Sequence, residues 1–213
     1  MPSMRKVSTL IVVGAAALGF GFGYGLYSSR RDVGQTDLVN GTLLIPPKAI
    51  VPFRLIDHHH RPFENTNFEN HWSFVFFGFT HCPDICPTTL HSFRGMVELL
   101  QAKNKASMGL QVIFVSLDPE RDTTERLREY IPFFHDSFLG VTGDREEIEH
   151  FAADLGVVHV KVEQTGANAY SIDHSASVFI FNPQGDLRAV LRPPHAPKKL
   201  VDALTGLRSL TDA

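Results

Sequence analysis

Residues Trp72 to Phe79, Trp-Ser-Phe-Val-Phe-Phe-Gly-Phe, form an apolar run that reads as a buried strand, and a helical pattern follows from about Thr88 to Leu100. Between them lies Cys82-Pro83-Asp84-Ile85-Cys86-Pro87, which holds the only two cysteines of the 213-residue chain. A buried strand passing almost directly into a helix commits the chain to layered α/β architecture. A Cys-x3-Cys pair at the mouth of that helix predicts two sulfurs one helical turn apart on one face. The helix N-terminus favours the thiolate, the form that binds metal or attacks disulfides.

The rest of the chain extends the same alternation. Ile50 to Ile56 predicts a strand, followed by a polar turn through Asp57-His58-His59-His60-Arg61-Pro62, and Leu110 to Leu117 predicts a second apolar strand stopped by Asp118-Pro119. Asp122 and Glu125 have capping-box spacing ahead of a helix reaching about His135; Asp144 and Glu147 repeat it ahead of a helix stopped by Gly156. Phe138 to Val141 and Val157 to Val162 read as extended. Ser177 to Phe181 and Leu187 to Leu191 form a hairpin about Asn182-Pro183-Gln184-Gly185, and a helix from Lys198 to Leu210 closes the chain. The order predicts a thioredoxin-like α/β fold: a central mixed sheet with flanking helices, extra N-terminal strands and one extra helix.

Val7 to Tyr27 carries no charge over 21 residues and is flanked by Arg5-Lys6 and Arg30-Arg31, which predicts a transmembrane helix. A cleaved signal peptide is the alternative, but Ala15-Ala16-Ala17 lies in the middle of the run rather than closing it. The domain expectation is therefore a membrane anchor with its flanks over residues 1–32, a tether over 33–48, and a globular domain over 49–213. The slight charge bias favours a cytoplasmic N-terminus and an exported domain. Past residue 32 the chain keeps 16 basic and 22 acidic residues. That balance argues against nucleic acid as a partner, and no Gly-rich loop follows a strand to hold a nucleotide.

By themselves the cysteines permit a structural staple, a redox couple or part of a metal site. The loop between them is too short to constrain much of the unfolded chain, which weakens the first. A metal needs a third ligand, and histidine is the usual supplement to two thiolates. Of eleven histidines, His174 stands apart, because Asp173-His174-Ser175 reads as a polar turn directly before a hairpin strand. In a thioredoxin-like sheet such a turn faces the N-terminus of the cysteine helix. Asp173 is open between orienting that imidazole and serving the turn. Asp84 is open between capping amides, orienting partner and metal, and simply answering the helix dipole, and Pro83 suits a first helical turn. The run His58-His59-His60 is open between a metal-collecting patch and a solvated loop, and His81 is expected to turn away from the sulfurs or merely flank them, not to serve as a ligand.

Gly78-Phe79-Thr80-His81-Cys82-Pro83-Asp84-Ile85-Cys86-Pro87, then Val115-Ser116-Leu117-Asp118-Pro119-Glu120-Arg121-Asp122-Thr123, then Asp173-His174-Ser175 resemble the Sco/SenC family over residues 49 to 205. The resemblance implies a membrane-tethered copper protein assisting cytochrome c oxidase assembly, a metallochaperone and not a turnover enzyme. Copper, one ion per chain as Cu(I) or Cu(II), would be held by Cys82, Cys86 and His174. Its partners would be oxidase subunit II, with its binuclear copper site, and a copper donor protein. The expected location is a bacterial inner membrane, with the domain on the periplasmic side. The runner-up is a membrane-tethered thiol–disulfide oxidoreductase using Cys82 and Cys86 as a redox pair, although redox members of this fold usually carry Cys-x-x-Cys.

Overall fold

A computed structural model describes the backbone of residues 37–38 and residues 41–103, 109–165 and 170–211. The span expected over Val7 to Tyr27 lies outside these residues, as do the anchor and the start of the tether. Among the described residues no helix is long and apolar enough to cross a membrane.

The strands are β1 (Asp37–Leu38), β2 (Gly41–Lys48), β3 (Arg54–Asp57), β4 (Pro62–Glu64), β5 (Trp72–Gly78), β6 (Leu110–Ser116), β7 (Leu139–Thr142), β8 (His159–Glu163), β9 (Tyr170–His174), β10 (Val178–Phe181) and β11 (Leu187–Leu191). The helices are α1 (Ile85–Ala102), α2 (Thr124–Tyr130), α3 (Arg145–Leu155) and α4 (Pro197–Thr211). Nine strands form one mixed sheet in the order β1-β2-β11-β10-β5-β6-β7-β3-β4, and β8 pairs with β9 in a separate hairpin. β5, β6 and β7 run parallel, while on the other side of β5 the strand β10 runs antiparallel to β5 and β11 antiparallel to β10.

β5 lies near the middle, and all seven of its residues are buried. Its alternating side chains reach opposite layers: Phe74 and Phe76 meet Phe93 of α1, and Phe77 meets Phe151 of α3. An apolar run without polar alternation is what burial on both faces requires. α1 and α4 pack on one another, and Gly95 permits it, because a Cβ there would lie 2.8 Å from Pro197 Cγ.

Two N-terminal expectations need correction. Gly41–Lys48, assigned to the tether, is an edge-side strand: Thr42 and Leu43 pair with Val190 and Ala189 of β11, and Leu43 is buried. Its Pro46-Pro47 and lack of alternation hide it, since the pairing is supplied by β11 rather than by local propensity. The strand expected from Ile50 begins only at Arg54. Side chains take the earlier amides: Val51 N–H donates to Asp154 and Phe53 N–H to Asn65 Oδ1. Glu147, expected in a capping box, instead accepts the Arg54 N–H at 2.9 Å.

Candidate metal centre

β5 ends at Gly78, and the chain makes a short loop before α1 begins at Ile85, three residues earlier than its apolar periodicity suggests. Only Cys86 lies on the helix, in its first turn and fully buried; Cys82 sits in the loop, half-buried. The sulfurs are therefore not stacked along one helix face. The Cys86 N–H donates to Cys82 Sγ at 3.4 Å. A loop sulfur thus takes one of the free amides at the helix start, where a negative charge is most welcome. Asp84 holds the N-cap position but its carboxylate caps no amide, accepting only the Thr88 hydroxyl at 3.4 Å. Pro83 lies ahead of the helix rather than in its first turn.

Both thiols are free, and they share a proton unequally. The Cys86 thiol donates to Cys82; with the contact to His174 and the amides of Asp84 and Cys86, this outweighs burial and holds Cys82 down at about 4. Cys86 is driven in the opposite direction by donating that bond, by burial and by the neighbouring thiolate. At neutral pH the pair is a half-exposed thiolate beside a buried thiol.

His174 arrives from β9. It ends a strand, where a polar turn was expected, and it stands opposite His159 of β8. Its Nε2 is 3.5 Å from Cys86 Sγ, and the three potential ligand atoms of Cys82, Cys86 and His174 lie within 4.8 Å of one another. Nδ1 donates to the Ser175 carbonyl at 3.1 Å, which fixes the ring with Nε2 facing the sulfurs. Phe76 and Phe79 meet the imidazole edge-on. Among the described residues this is the one group of three or more His, Cys, Asp or Glu side chains suited to a metal. Two thiolates and one imidazole favour a soft ion.

A sequence profile of the SCO1/SenC family matches residues 45–209. The chain belongs to that family. It is 30% identical over 211 residues to the SCO2-like protein of Rickettsia felis, covering 97% of this chain and 100% of the relative. Among solved structures, apo Sco1 of Thermus thermophilus is 38% identical with a TM-score of 0.69, covering 79% of this chain and 96% of that one. Arabidopsis thaliana ScoI, solved with copper bound, is 30% identical with a TM-score of 0.69, over 77% of this chain and 99% of that one.

Three features of this SCO1/SenC site lay beyond sequence reasoning. A Cβ at Gly78 would stand 2.7 Å from Cys86 Sγ and 2.8 Å from the Phe114 ring, so only glycine leaves room for that sulfur. Asp122, expected to open a capping box, is fully buried beneath the site loop. Its carboxylate accepts the Thr80 N–H at 2.9 Å, the Thr80 hydroxyl at 2.6 Å and the Ser116 hydroxyl at 2.6 Å; Thr123 caps α2 in its place, accepting from the Arg126 N–H. Asp122 thereby ties the ends of β5 and β6 together directly before Cys82. Third, the imidazole is oriented by the Ser175 carbonyl rather than by Asp173, whose exposed side chain alternates to the other face of β9.

The remaining candidates are settled by burial. His81 turns to Thr80 Oγ1 at 3.2 Å and stays outside the ligand group. His58 is interior, its Nδ1 accepting the Gly140 N–H at 2.9 Å, while His59 and His60 are exposed and His60 pairs with Glu125. The His58 and His59 rings lie against one another, their centroids 3.9 Å apart, but the three consecutive histidines build no common group of ligands.

Proposed function

We propose that the chain binds one copper ion through Cys82, Cys86 and His174 and acts as a metallochaperone. It would deliver copper to, or prepare copper for, the binuclear site of cytochrome c oxidase subunit II. The observation that carries this is the arrival of a correctly oriented imidazole over a cysteine pair 88 residues away. Copper is cargo here: the buried Cys86 thiol surrenders its proton when the ion enters, and a site with only three protein ligands leaves room for a partner's ligands to displace them. Val7 to Tyr27 would anchor the chain in a bacterial inner membrane, with the domain on the periplasmic side and a copper donor protein as supplier. The chain would not be a turnover enzyme.

Copper titration of the full-length chain in detergent tests this. Binding should saturate at one ion with a thiolate–Cu(II) absorption band, and Cys82→Ala, Cys86→Ala and His174→Ala should each weaken it. Full affinity in His174→Ala overturns the site.

The asymmetric thiols favour a second reading, thiol–disulfide exchange. The Cys82 thiolate would attack a partner disulfide, expelling one partner thiolate and forming a mixed disulfide. Cys86, after losing its proton, would attack the Cys82 sulfur and release the second, leaving the partner reduced by two electrons and Cys82–Cys86 oxidised. Another dithiol must then reset the pair. Reduction of an oxidised dithiol peptide that survives His174→Ala supports this reading.

A further inference from the structure

The two sides of the metal centre are anchored differently. Cys82 and Cys86 hang from the central sheet and α1, whereas His174 sits on a hairpin outside the main sheet. Tyr170, Ile172 and His174 alternate onto one face of β9. Ile172 is buried in the core, and Tyr170 at the far end of the strand meets the loop after β6.

There the contacts converge on one ring. The Tyr170 hydroxyl donates to Asp118 Oδ1 at 2.6 Å and lies 3.3 Å from Glu120 Oε2. The Arg121 guanidinium stands 3.6 Å from the ring centroid and Lys161 Nζ 3.8 Å from it. Two cations that close cannot share a face, so the ring is held between them. Arg121 is itself fixed: it donates to the Asp118 carboxylate through Nε and to the Tyr170 carbonyl through Nη1 at 3.1 Å. It also reaches Phe79, whose ring meets the His174 imidazole. Asp118 is buried, so these bonds act where water competes little.

We infer that Tyr170, clasped by Asp118, Arg121 and Lys161, is the positioning residue that holds His174 over the cysteine pair, so that retention of copper depends on this clasp. The inference rests on the copper reading above. Outer partners that orient a metal-binding imidazole commonly change affinity by about 10- to 100-fold. Tyr170 touches no ligand atom; it acts through the five residues of β9.

Two measurements on the full-length chain in detergent test it with Tyr170→Leu, Arg121→Ala and Tyr170→Phe. Without metal, amide exchange in β8 and β9 should accelerate in Tyr170→Leu while α1 stays protected. With Cu(I), a chelator should strip the ion about 10-fold faster from Tyr170→Leu and Arg121→Ala. Tyr170→Phe, which keeps the ring between its cations, should recover most of the retention. With Cu(II), nitrogen hyperfine coupling from His174 should weaken in the same order. Unchanged hairpin exchange in Tyr170→Leu overturns the clasp. Faster hairpin exchange with wild-type copper retention, in a chain that His174→Ala does impair, overturns its role in positioning. A wild-type chain that retains no copper overturns the copper reading, and the metal-free exchange still decides whether Tyr170 holds the hairpin.

Discussion

The strand–helix junction that carries the cysteines and the hairpin that carries the histidine are built from opposite materials. At the junction every residue of β5 is buried, Cys86 fills a space defined by Gly78 and Phe114, and Asp122 ties the loop from below. On the hairpin, four of the five β8 residues are exposed, and the anchors are the Ile172 side chain and the charged contacts around Tyr170. One side of the centre is enclosed in the core by packing and a buried carboxylate, which resists displacement; the other rests on one buried side chain and on contacts around the part-exposed Tyr170 ring. A cargo site gains from that division. Under the copper-delivery role proposed above, the sulfurs would keep their geometry through loading and unloading, and the imidazole would be the ligand that leaves with least disturbance.

The largest expected effect falls on the packed side. Asp122→Ala removes three hydrogen bonds to a buried carboxylate and leaves the Thr80 N–H and the Ser116 O–H without their acceptor, while the Ser116 oxygen keeps the Asp118 N–H. Bonds to a charged group and the cost of orphaned buried groups put the loss of stability at about 3 kcal/mol or more. Urea denaturation measures it. A loss below about 1 kcal/mol would show that the loop is not held from beneath, and the contrast with the hairpin would fail.

Gly78→Ala comes next. The added methyl would meet both Cys86 Sγ and Phe114, and overpacking of this kind costs about 1–3 kcal/mol. The same variant should disturb the thiol pair even where the fold survives, seen as altered alkylation of Cys82 in the reduced chain. If stability falls and the thiols behave as in the wild type, Gly78 serves packing alone.

How much of this was legible in the sequence follows the same division. Cys82, Cys86 and His174 could be proposed because two thiols need a third soft-metal ligand and because their order matched a known family. The alternation of strands and helices was visible because β5 and β6 are apolar enough to announce burial. Local pattern misled wherever the true partner was distant. Asp122 has capping-box spacing, yet its partners Thr80 and Ser116 sit at the ends of two neighbouring strands. β2 shows no alternation, because β11 dictates its pairing. Arg121 lay in a segment that carried the resemblance, but its link to Tyr170 gave no signal, since a tyrosine and an arginine 49 residues apart reveal nothing until the hairpin folds back.

The smallest effect expected is the near-absence of one. An ordinary thiol near 8.5 loses alkylation rate about tenfold per pH unit on acidification, because the thiolate is the reacting form. Cys82, held down at about 4, remains thiolate well below neutrality, so its alkylation by iodoacetamide should change less than about twofold between pH 8 and pH 6. Cys86 is buried and contributes little to the signal. The bond from the Cys86 thiol is the largest cause of the lowering, and the His174 contact is a smaller one. Cys86→Ala should therefore raise the Cys82 pKa and restore a steep fall in rate toward acid, while His174→Ala should steepen the profile less. The reverse order would place control of the thiolate on the hairpin side, and the packed junction would then position the sulfurs without setting their charge.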